Sequence, residues 1–474
     1  MNRIETNPTS SELRIRISGI TAGYGHIRAA LAFFDAMISW EKKSVDVKKI
    51  KVEFYDPIAH GTEPFKKYLR FLDVALAAAY NKFPRLFLKL TASGGGTQGM
   101  GIINRLGEFL DWGKFDKSLN NETAVVVATH SLVADLSHKN PTFLLALDPW
   151  AGLYNARDHN VTIFTPDLST AVDLKNIKDR QLVVTGPFIA KPVVDARNGF
   201  EARKKELQEE APIRVTIATG GSGSHPEEII ALTRAYARAI ENYEPIEKLT
   251  VVAGSSKLIR DKVEFIIHSL PADLQEKITV LYNTDEIQLI RDADIAIANS
   301  DVLHAKTGEL VYCVAKGLAF ETFGSNPSLA VQEVKLREYS HMKTMVRDKK
   351  TGGIRSALEF GNVDANREIK NLLKEYPIDD LKIDDLKKDS THVELDINQK
   401  INQILEKHVL STNAMIEENA TREVAKIFEQ LRDGELLLRM EAGLGVPANG
   451  AEYAAAIVKN ELKRIYSTNS GLQL

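Results

Sequence analysis

Two glycine clusters in this sequence carry residue types suited to binding a charged ligand. The first, SGITAGYGHIRAA at 18–30, follows the apolar run LRIRI, and the second, ATGGSGSHPEE at 218–228, follows RVTI. Glycine lets the backbone approach a ligand closely, and the first N–H groups of a helix lack intrahelical partners and attract anions. A helical pattern follows each cluster, so both are candidate phosphate cradles.

The first cluster also offers a candidate catalytic base. His26 follows Gly23 and Gly25, which would let a ligand approach. The positive end of a helix dipole disfavours an imidazolium, so a histidine at a helix start stays neutral and able to take a proton. Asp148 ends the run TFLLALD, and the carboxyl ends of parallel strands are where such folds bind ligands. A turn that uses its glycines only for geometry is the alternative.

The second cluster lacks the signatures of two common nucleotide folds. No lysine follows its glycines, so it is not a P-loop, and no acidic residue stands at the end of the second strand as in a dinucleotide enzyme. It is a candidate phosphate cradle of another kind, and a tight turn with a serine cap is the alternative. Its candidate binding residues are Gly220, Gly221, Ser222 and Gly223.

Further candidate ligand residues follow later apolar runs. Gly254 ends KLTVVAG, and Thr307 and Glu309 lie in AKTGEL. A carboxylate after a strand's carboxyl end can accept two hydrogen bonds from a ribose diol. The alternative for Glu309 is a solvated glutamate in a first helical turn, which the helix dipole favours in any case.

A basic, aromatic segment at 64–90 has a different character. PFKKYLRFLDVALAAAYNKFPRLFLKL interleaves six lysines and arginines with tyrosine, phenylalanine and leucine against one aspartate. Such a segment can lie in an anionic membrane surface. A core helix with a solvated basic face is the alternative.

Composition excludes several classes of protein. The 474 residues carry a net charge of -3, without the basic excess of a nucleic-acid binder. The single cysteine, Cys313, excludes an intrachain disulfide and indicates a reducing cytoplasm. No signal peptide or apolar run of about 18 residues occurs, and no metal-ligand spacing is visible. We expect a cytoplasmic protein, peripheral at the membrane, with no metal.

Strand patterns alternate with helical patterns through the first two-thirds of the chain, which predicts parallel sheets covered on both faces. Apolar runs begin near residues 51, 124, 142, 161, 181, 214, 248, 277, 293 and 317. The segment TGPFIAKPVVDARNG at 185–199 interrupts both periodicities. We predict an N-terminal Rossmann-like domain at 1–188, a second at 189–345, and a charged segment with a helical C-terminal region at 346–474 that packs on the core.

Several motifs match one family in order. The matching motifs span about residues 13–340. They are, in order, SGITAGYGHIRAA, FPRLFLKL, ATH at 128, ALD at 146, TGPFIAKP, FEARKKEL, ATGGSGS, LYNTDEIQLIRDADIAIANS, and the threonine and glutamate of AKTGEL. The chain resembles the family 28 glycosyltransferases of GT-B fold, especially the processive diacylglycerol glucosyltransferases and monogalactosyldiacylglycerol synthases.

The resemblance implies a UDP-sugar as co-substrate, no further cofactor, and a lipid acceptor at an anionic membrane. It implies that the donor lies between two domains, with His26 or Asp148 taking the acceptor proton and the glycine loop at 220–223 facing the phosphates. Two alternatives stay open. One is a UDP-N-acetylglucosamine 2-epimerase. The other is a non-catalytic protein that keeps the fold. The segment NSDVLHAK, which stands where the family has Lys-Pro-Gly-Gly, favours this second alternative.

Overall fold

The structure is a computed structural model that describes most of the two predicted sheets and the C-terminal helices. The described residues are 13–19, 24–41, 50–82, 105–111, 113–121, 123–137, 140–147, 161–166, 171, 181–218, 226–283, 285–305, 319–322, 345–347, 354–356, 358–359, 368, 371, 413–444 and 448–470. The statements below concern these residues.

Six parallel strands form the first sheet, in the order β2-β1-β3-β4-β5-β6. The strands are β1 (Leu13–Ser18), β2 (Ile50–Phe54), β3 (Val125–Ala128), β4 (Thr142–Leu145), β5 (Val161–Thr165) and β6 (Leu182–Val184). The chain winds outward from β1 in both directions, so the sheet is doubly wound and its topological switch point lies between β1 and β3.

Apolar side chains cover both faces of this sheet, which explains why the strands β3, β4 and β5 are buried along their whole length. On one face, Val126 and Ala128 pack with residues of the helices Glu63–Lys82 and Lys114–Asn120. On the other face, Val125 and Val127 pack against the helix Tyr24–Glu41.

A second sheet of six parallel strands follows, in the order β14-β11-β10-β7-β8-β9. The strands are β7 (Ile213–Ala218), β8 (Ile246–Gly254), β9 (Ile278–Tyr282), β10 (Val302–Ala305), β11 (Ala319–Thr322) and β14 (Leu358–Glu359). The short strands β12 (Met345–Arg347) and β13 (Ile354–Ser356) form a separate antiparallel pair. Two doubly wound sheets confirm the predicted fold class.

Helices lie between these strands. They include Lys191–Ala196, Phe200–Gln208, Pro226–Glu241, Lys257–Ser269 and Ala272–Gln275. In the helix Pro226–Glu241, a proline opens the first turn and two glutamates follow it, which are good start signals.

One predicted strand is a helix. The run ADIAIANS at 293 was expected to be a strand from its alternating isoleucines, but it ends the helix Glu286–Ala298, and the strand is β10, a few residues later. The Asp285 side chain caps this helix by accepting hydrogen bonds from the N–H groups of Ile287 and Gln288. The cap and the alanines, which are the best helix formers, outweigh the short alternation.

Three helices at the C-terminus pack on both sheets, as the sequence predicts. The helices Asn413–Arg432 and Glu435–Gly443 place Val424, Phe428 and Leu436 in the core of the second sheet. The last helix, Gly450–Ser470, returns to the first sheet and packs along Tyr24–Glu41. The C-terminal region therefore links the two halves of the molecule. Among the described residues, no helix is long and apolar enough to cross a bilayer.

Candidate functional site

The predicted site residues divide between those that the structure describes and those that it does not. His26 and Gly25 lie in the first turn of the helix Tyr24–Glu41, directly after β1 in the chain, and Gly254 ends β8. The others lie outside the described residues, and their roles stay predictions: Gly23, Asp148, Gly220, Gly221, Ser222, Gly223, Thr307 and Glu309.

The His26 ring is fixed by one hydrogen bond across the switch point. Its Nδ1 lies 2.6 Å from the carbonyl oxygen of Thr129, the residue that follows β3. A carbonyl oxygen only accepts hydrogen bonds, so Nδ1 carries the proton and Nε2 of the neutral ring holds the lone pair. No described residue hydrogen-bonds to that Nε2, so it is available to take a proton from a ligand.

A second histidine, His130, lies beside the first. The ring centroids of His26 and His130 are 5.5 Å apart, and the ring planes are inclined at 54°. His130 is buried and caps the helix Ser131–Leu136, because its Nδ1 accepts a 3.1 Å hydrogen bond from the N–H of Leu132. A backbone N–H only donates, so the proton of neutral His130 is on Nε2.

Both rings are neutral at physiological pH. Burial lowers the pKa of His26 to about 4, although the hydrogen bond to Thr129 opposes the shift. Burial lowers the pKa of His130 to about 3, and repulsion from His26 adds to that shift. From the sequence we expect the helix dipole to keep His26 neutral. In the structure the main cause of its lowered pKa is burial. The site thus pairs a neutral base with a neutral hydrogen-bond donor.

The backbone around the two histidines is closely packed. A Cβ atom added to Gly19 would lie 2.5 Å from Oγ1 of Thr129, so this position needs glycine or a displaced threonine. Gly25, by contrast, has no atom within 4 Å of an added Cβ and is exposed. The hydroxyls of Ser18 and Thr129, both fully buried, have no hydrogen-bond partner in the part of the chain that the structure describes.

An ion pair places this site at the junction of the two sheets. Arg28, two residues after His26, lies with its Nε 3.3 Å from Oδ1 of Asp294, and both side chains are buried. Asp294 belongs to the helix Glu286–Ala298 of the second half. Burial raises the pKa of Asp294 to about 6, and the charge of Arg28 opposes the shift. Asp35 and Arg291 add a second interaction of opposite charges between the same two helices.

The remaining candidates follow neighbouring strands of the second sheet. The strand β7 precedes the glycine loop at 220–223 and pairs with β10, which precedes Thr307 and Glu309, and with β8, which ends at Gly254. Gly254 has a φ of 56°, in the left-handed region where glycine is favoured. The carboxyl ends of neighbouring strands at a switch point are where open α/β sheets bind ligands.

The basic, aromatic segment forms an exposed surface in its described part. Phe71 on the helix Glu63–Lys82 is 66% exposed, and Phe109 in the helical segment 105–111 is 70% exposed. The two elements are in contact, because a Cβ added to Gly107 would lie 3.2 Å from the ring of Tyr68. We call this the Phe71 surface; its members are Lys67, Arg70, Phe71, Arg105, Leu106 and Phe109, all exposed.

No protein-family model matches the chain, and no curated protein matches it in sequence. Solved structures do show a similar arrangement. A putative UDP-N-acetylglucosamine 2-epimerase from Listeria monocytogenes is 10% identical, with a TM-score of 0.47 over 97% of this chain and 98% of the other. An S. aureus MnaA–UDP structure is 10% identical, with a TM-score of 0.43 over 96% and 97%.

A UDP-forming trehalose-phosphate synthase from Burkholderia xenovorans is 9% identical, with a TM-score of 0.41 over 95% of this chain and 100% of the other. The fold assignment rests on the strand orders: the second sheet has the Rossmann order, and the first has the flavodoxin-like order extended by β6, so both are doubly wound.

Sequence reasoning missed His130, Gly19 and the partner of Arg28. The run AVVVATH does end in a histidine at a strand's carboxyl end, which is a signal for a ligand-facing side chain. The contact between Arg28 and Asp294 joins residues far apart in the chain and has no local signature. Among the described residues, no group of three or more histidine, cysteine, aspartate or glutamate side chains is arranged to hold a metal.

Proposed function

We propose that the protein is a glycosyltransferase that moves a sugar from a UDP-sugar to a hydroxyl group of a membrane lipid, with inversion at the anomeric carbon. The observation that carries the proposal is the state of His26. It is a neutral histidine with the proton fixed on Nδ1 and the Nε2 lone pair without a partner among the described residues, next to the switch point of the first sheet. A reaction that removes a proton from a hydroxyl needs a base that is unprotonated at the working pH.

The proposed step is a displacement at the sugar. His26 Nε2 takes the proton of the acceptor hydroxyl as its oxygen attacks the anomeric carbon. The bond from that carbon to the phosphate oxygen breaks, and its electron pair leaves with UDP. The imidazolium that forms keeps its Nδ1–H hydrogen bond to the Thr129 carbonyl, which stabilises its charge.

The nucleotide would bind to the second sheet. Its strand order supports this assignment, because β10, β7 and β8 lead in turn to Glu309, the glycine loop at 220–223 and Gly254. We propose that the loop N–H groups hold the diphosphate and that Glu309 accepts hydrogen bonds from the ribose diol. The buried contact between Arg28 and Asp294 would bring this site opposite His26.

The lipid acceptor is the part of the proposal supported by the Phe71 surface. Soluble proteins usually leave large apolar side chains exposed singly, whereas here Phe71, Leu106 and Phe109 are all exposed on two elements that are in contact and that also carry exposed basic residues. Aromatic rings can enter the acyl boundary while lysine and arginine contact anionic headgroups. On this basis we propose that the first sheet's domain docks on an anionic membrane.

The test is a direct search for the product. The purified protein is incubated separately with UDP-glucose, UDP-galactose and UDP-N-acetylglucosamine, together with vesicles of diacylglycerol and an anionic phospholipid, and the lipids are analysed by mass spectrometry. We expect a glycosylated lipid and free UDP with one of the sugars. No new lipid with any of the three donors contradicts the proposal.

The same incubations separate the alternatives. An epimerase would convert UDP-N-acetylglucosamine to its C2 epimer without a lipid, which proton NMR of the nucleotide fraction detects. A non-catalytic protein would give neither product but would still bind UDP in a calorimeter.

A further inference from the structure

We propose that His130 is a second catalytic residue, which donates a hydrogen bond from Nε2 to the acceptor hydroxyl while His26 removes that hydroxyl's proton. This inference rests on the proposed transferase function. His130 differs from an ordinary helix cap because its second ring nitrogen faces no described hydrogen-bond partner and its ring lies next to that of the candidate base.

The two tautomers are complementary. His26 presents a lone pair at Nε2, because its Nδ1–H is held by the Thr129 carbonyl, whereas His130 presents an N–H at Nε2, because its Nδ1 is held by the Leu132 N–H. A hydroxyl oxygen can donate its proton to one ring and accept a hydrogen bond from the other. Neither ring can exchange roles without losing its backbone partner.

The rings of His26 and His130 are close neighbours. One oxygen that forms hydrogen bonds of about 2.9 Å to both Nε2 atoms requires these atoms to lie within about 5.8 Å of each other. The two ring centroids are 5.5 Å apart, and the rings are tilted rather than stacked. One hydroxyl oxygen held by both rings has its proton directed at His26 and a lone pair left for attack on the sugar.

A neutral donor has a chemical advantage here over a charged one. An imidazolium or ammonium group beside His26 would lower the basicity of His26 further and weaken proton removal. Burial keeps His130 uncharged, so it can orient the hydroxyl without this cost. In the reaction His130 keeps its proton throughout, and the proton that moves goes from the hydroxyl to His26.

Two substitutions separate this role from helix capping. In His130→Asn the side-chain oxygen lies near the position of Nδ1, so it can still accept from Leu132 N–H, but nothing donates at the position of Nε2. In His130→Gln the amide nitrogen reaches the position of Nε2, while the cap is weakened. We expect His130→Asn to keep the melting temperature and lose about 10²-fold in turnover, with the KM for UDP-sugar unchanged.

We expect His130→Gln to melt at a lower temperature than His130→Asn but to retain more turnover. A purely structural role predicts the reverse order, because only the cap would matter. Near-normal turnover in His130→Asn, or loss of activity in proportion to loss of stability, overturns the inference.

A measurement without any substrate tests the same geometry. Nitrogen-15 NMR of histidine-labelled protein distinguishes the tautomers, and the His26→Gln and His130→Gln variants assign the two signals among the 11 histidines. We expect a proton on Nδ1 of His26 and on Nε2 of His130 at pH 7. A proton on Nδ1 of His130 overturns the inference whatever the enzyme does. The expected tautomers together with no sugar transfer from any UDP-sugar would instead overturn the proposed function, and with it the role assigned to His130.

Discussion

Arg28 and Asp294 form a buried ion pair between the helix that carries His26 and a helix of the second sheet, with 3.3 Å between Nε and Oδ1. Both side chains are more than nine-tenths buried. Removing one member of such a pair leaves the other charge in a poorly solvated place, which typically costs about 3–5 kcal/mol. The ion pair therefore holds the helix that carries His26 against a helix of the second half.

We predict that Arg28→Met and Asp294→Leu are each strongly destabilising and that the double variant is much less destabilised than the sum of the two. Replacing both charges by apolar side chains removes the desolvation cost together with the attraction. Thermal unfolding of the four proteins in the cycle measures the coupling. The matched control is Arg203, which pairs with Asp301 within the second half, so Arg203→Met combined with Asp294→Leu should be additive. Additive losses for Arg28→Met and Asp294→Leu would show that the two side chains do not interact.

The last helix depends on a close backbone approach at Gly450. A Cβ at this position would lie 2.3 Å from the carbonyl oxygen of Gly186 and 2.4 Å from that of Pro187. We predict that Gly450→Ala lowers the melting temperature and loosens the helix Gly450–Ser470, because backbone atoms cannot move aside cheaply. Gly199→Ala is the control, since an added Cβ there meets nothing within 4 Å. Equal melting temperatures for both variants would contradict the packing described here.

The pH dependence of stability follows from the half-buried His26 and the buried His130. Their pKa values are about 4 and about 3 in the folded protein against an ordinary value of 6.5. The unfolded chain then binds more protons than the folded chain between about pH 3 and pH 6.5, so their contribution to stability falls as the pH is lowered through this window. We predict that His130→Asn has a shallower loss of stability between pH 6.5 and pH 4, measured by chemical denaturation. A slope identical to the parent's would argue against a buried neutral His130.

The Phe71 surface makes a separate prediction about membranes. Phe71→Glu and Phe109→Glu change exposed side chains, so folding should be unaffected, while sedimentation with anionic vesicles should fall. Lys67→Glu with Arg70→Glu should lower binding most at low salt, because each basic residue near the surface contributes about 1 kcal/mol and is screened by ions. Phe265→Glu, which changes a 72% exposed residue on the second half, is the control. Equal binding to neutral and anionic vesicles would remove the electrostatic part of the proposal.

The sequence predicts the fold well because parallel sheets leave a strong local record. Buried strands read as continuous apolar runs, and Val125–Ala128 or Val161–Thr165 lie where those runs place them. The prediction failed at ADIAIANS, where an alternation of isoleucine and alanine fits either a strand or a helix and the Asp285 cap decides. Local patterns predict element type only where period and caps agree.

The candidate site was predicted less completely for a physical reason. His26 has a local context of glycines and a helix start, so its position could be read from the chain. The orientation of the His26 ring depends on the hydrogen bond to the Thr129 carbonyl, and its neutrality depends on burial. His130 lies next to it because β1 pairs with β3. These are contacts across about 100 residues of chain, which no local pattern records.

The activity of His26 should depend little on pH near neutrality. Because its pKa is about 4, the base is already deprotonated above about pH 5, and protonation removes it only below that. We predict that the titration of His26 leaves kcat/KM for sugar transfer constant from about pH 5.5 to pH 8 and lowers it at more acidic pH. An acid limb near pH 6.5 would mean that the base is a solvated histidine, in conflict with the burial of His26.

The central claim is tested most directly by the turnover of His26→Ala. With the UDP-sugar that the product search identifies, we predict a fall in kcat of about 10²-fold to 10⁴-fold and little change in calorimetric affinity for UDP, because the nucleotide would bind to the second sheet. Asp148→Asn is the matched comparison, and a larger loss there would make the aspartate the base. Near-normal turnover of His26→Ala would contradict the account and leave GYGH as a turn that only makes room for the donor.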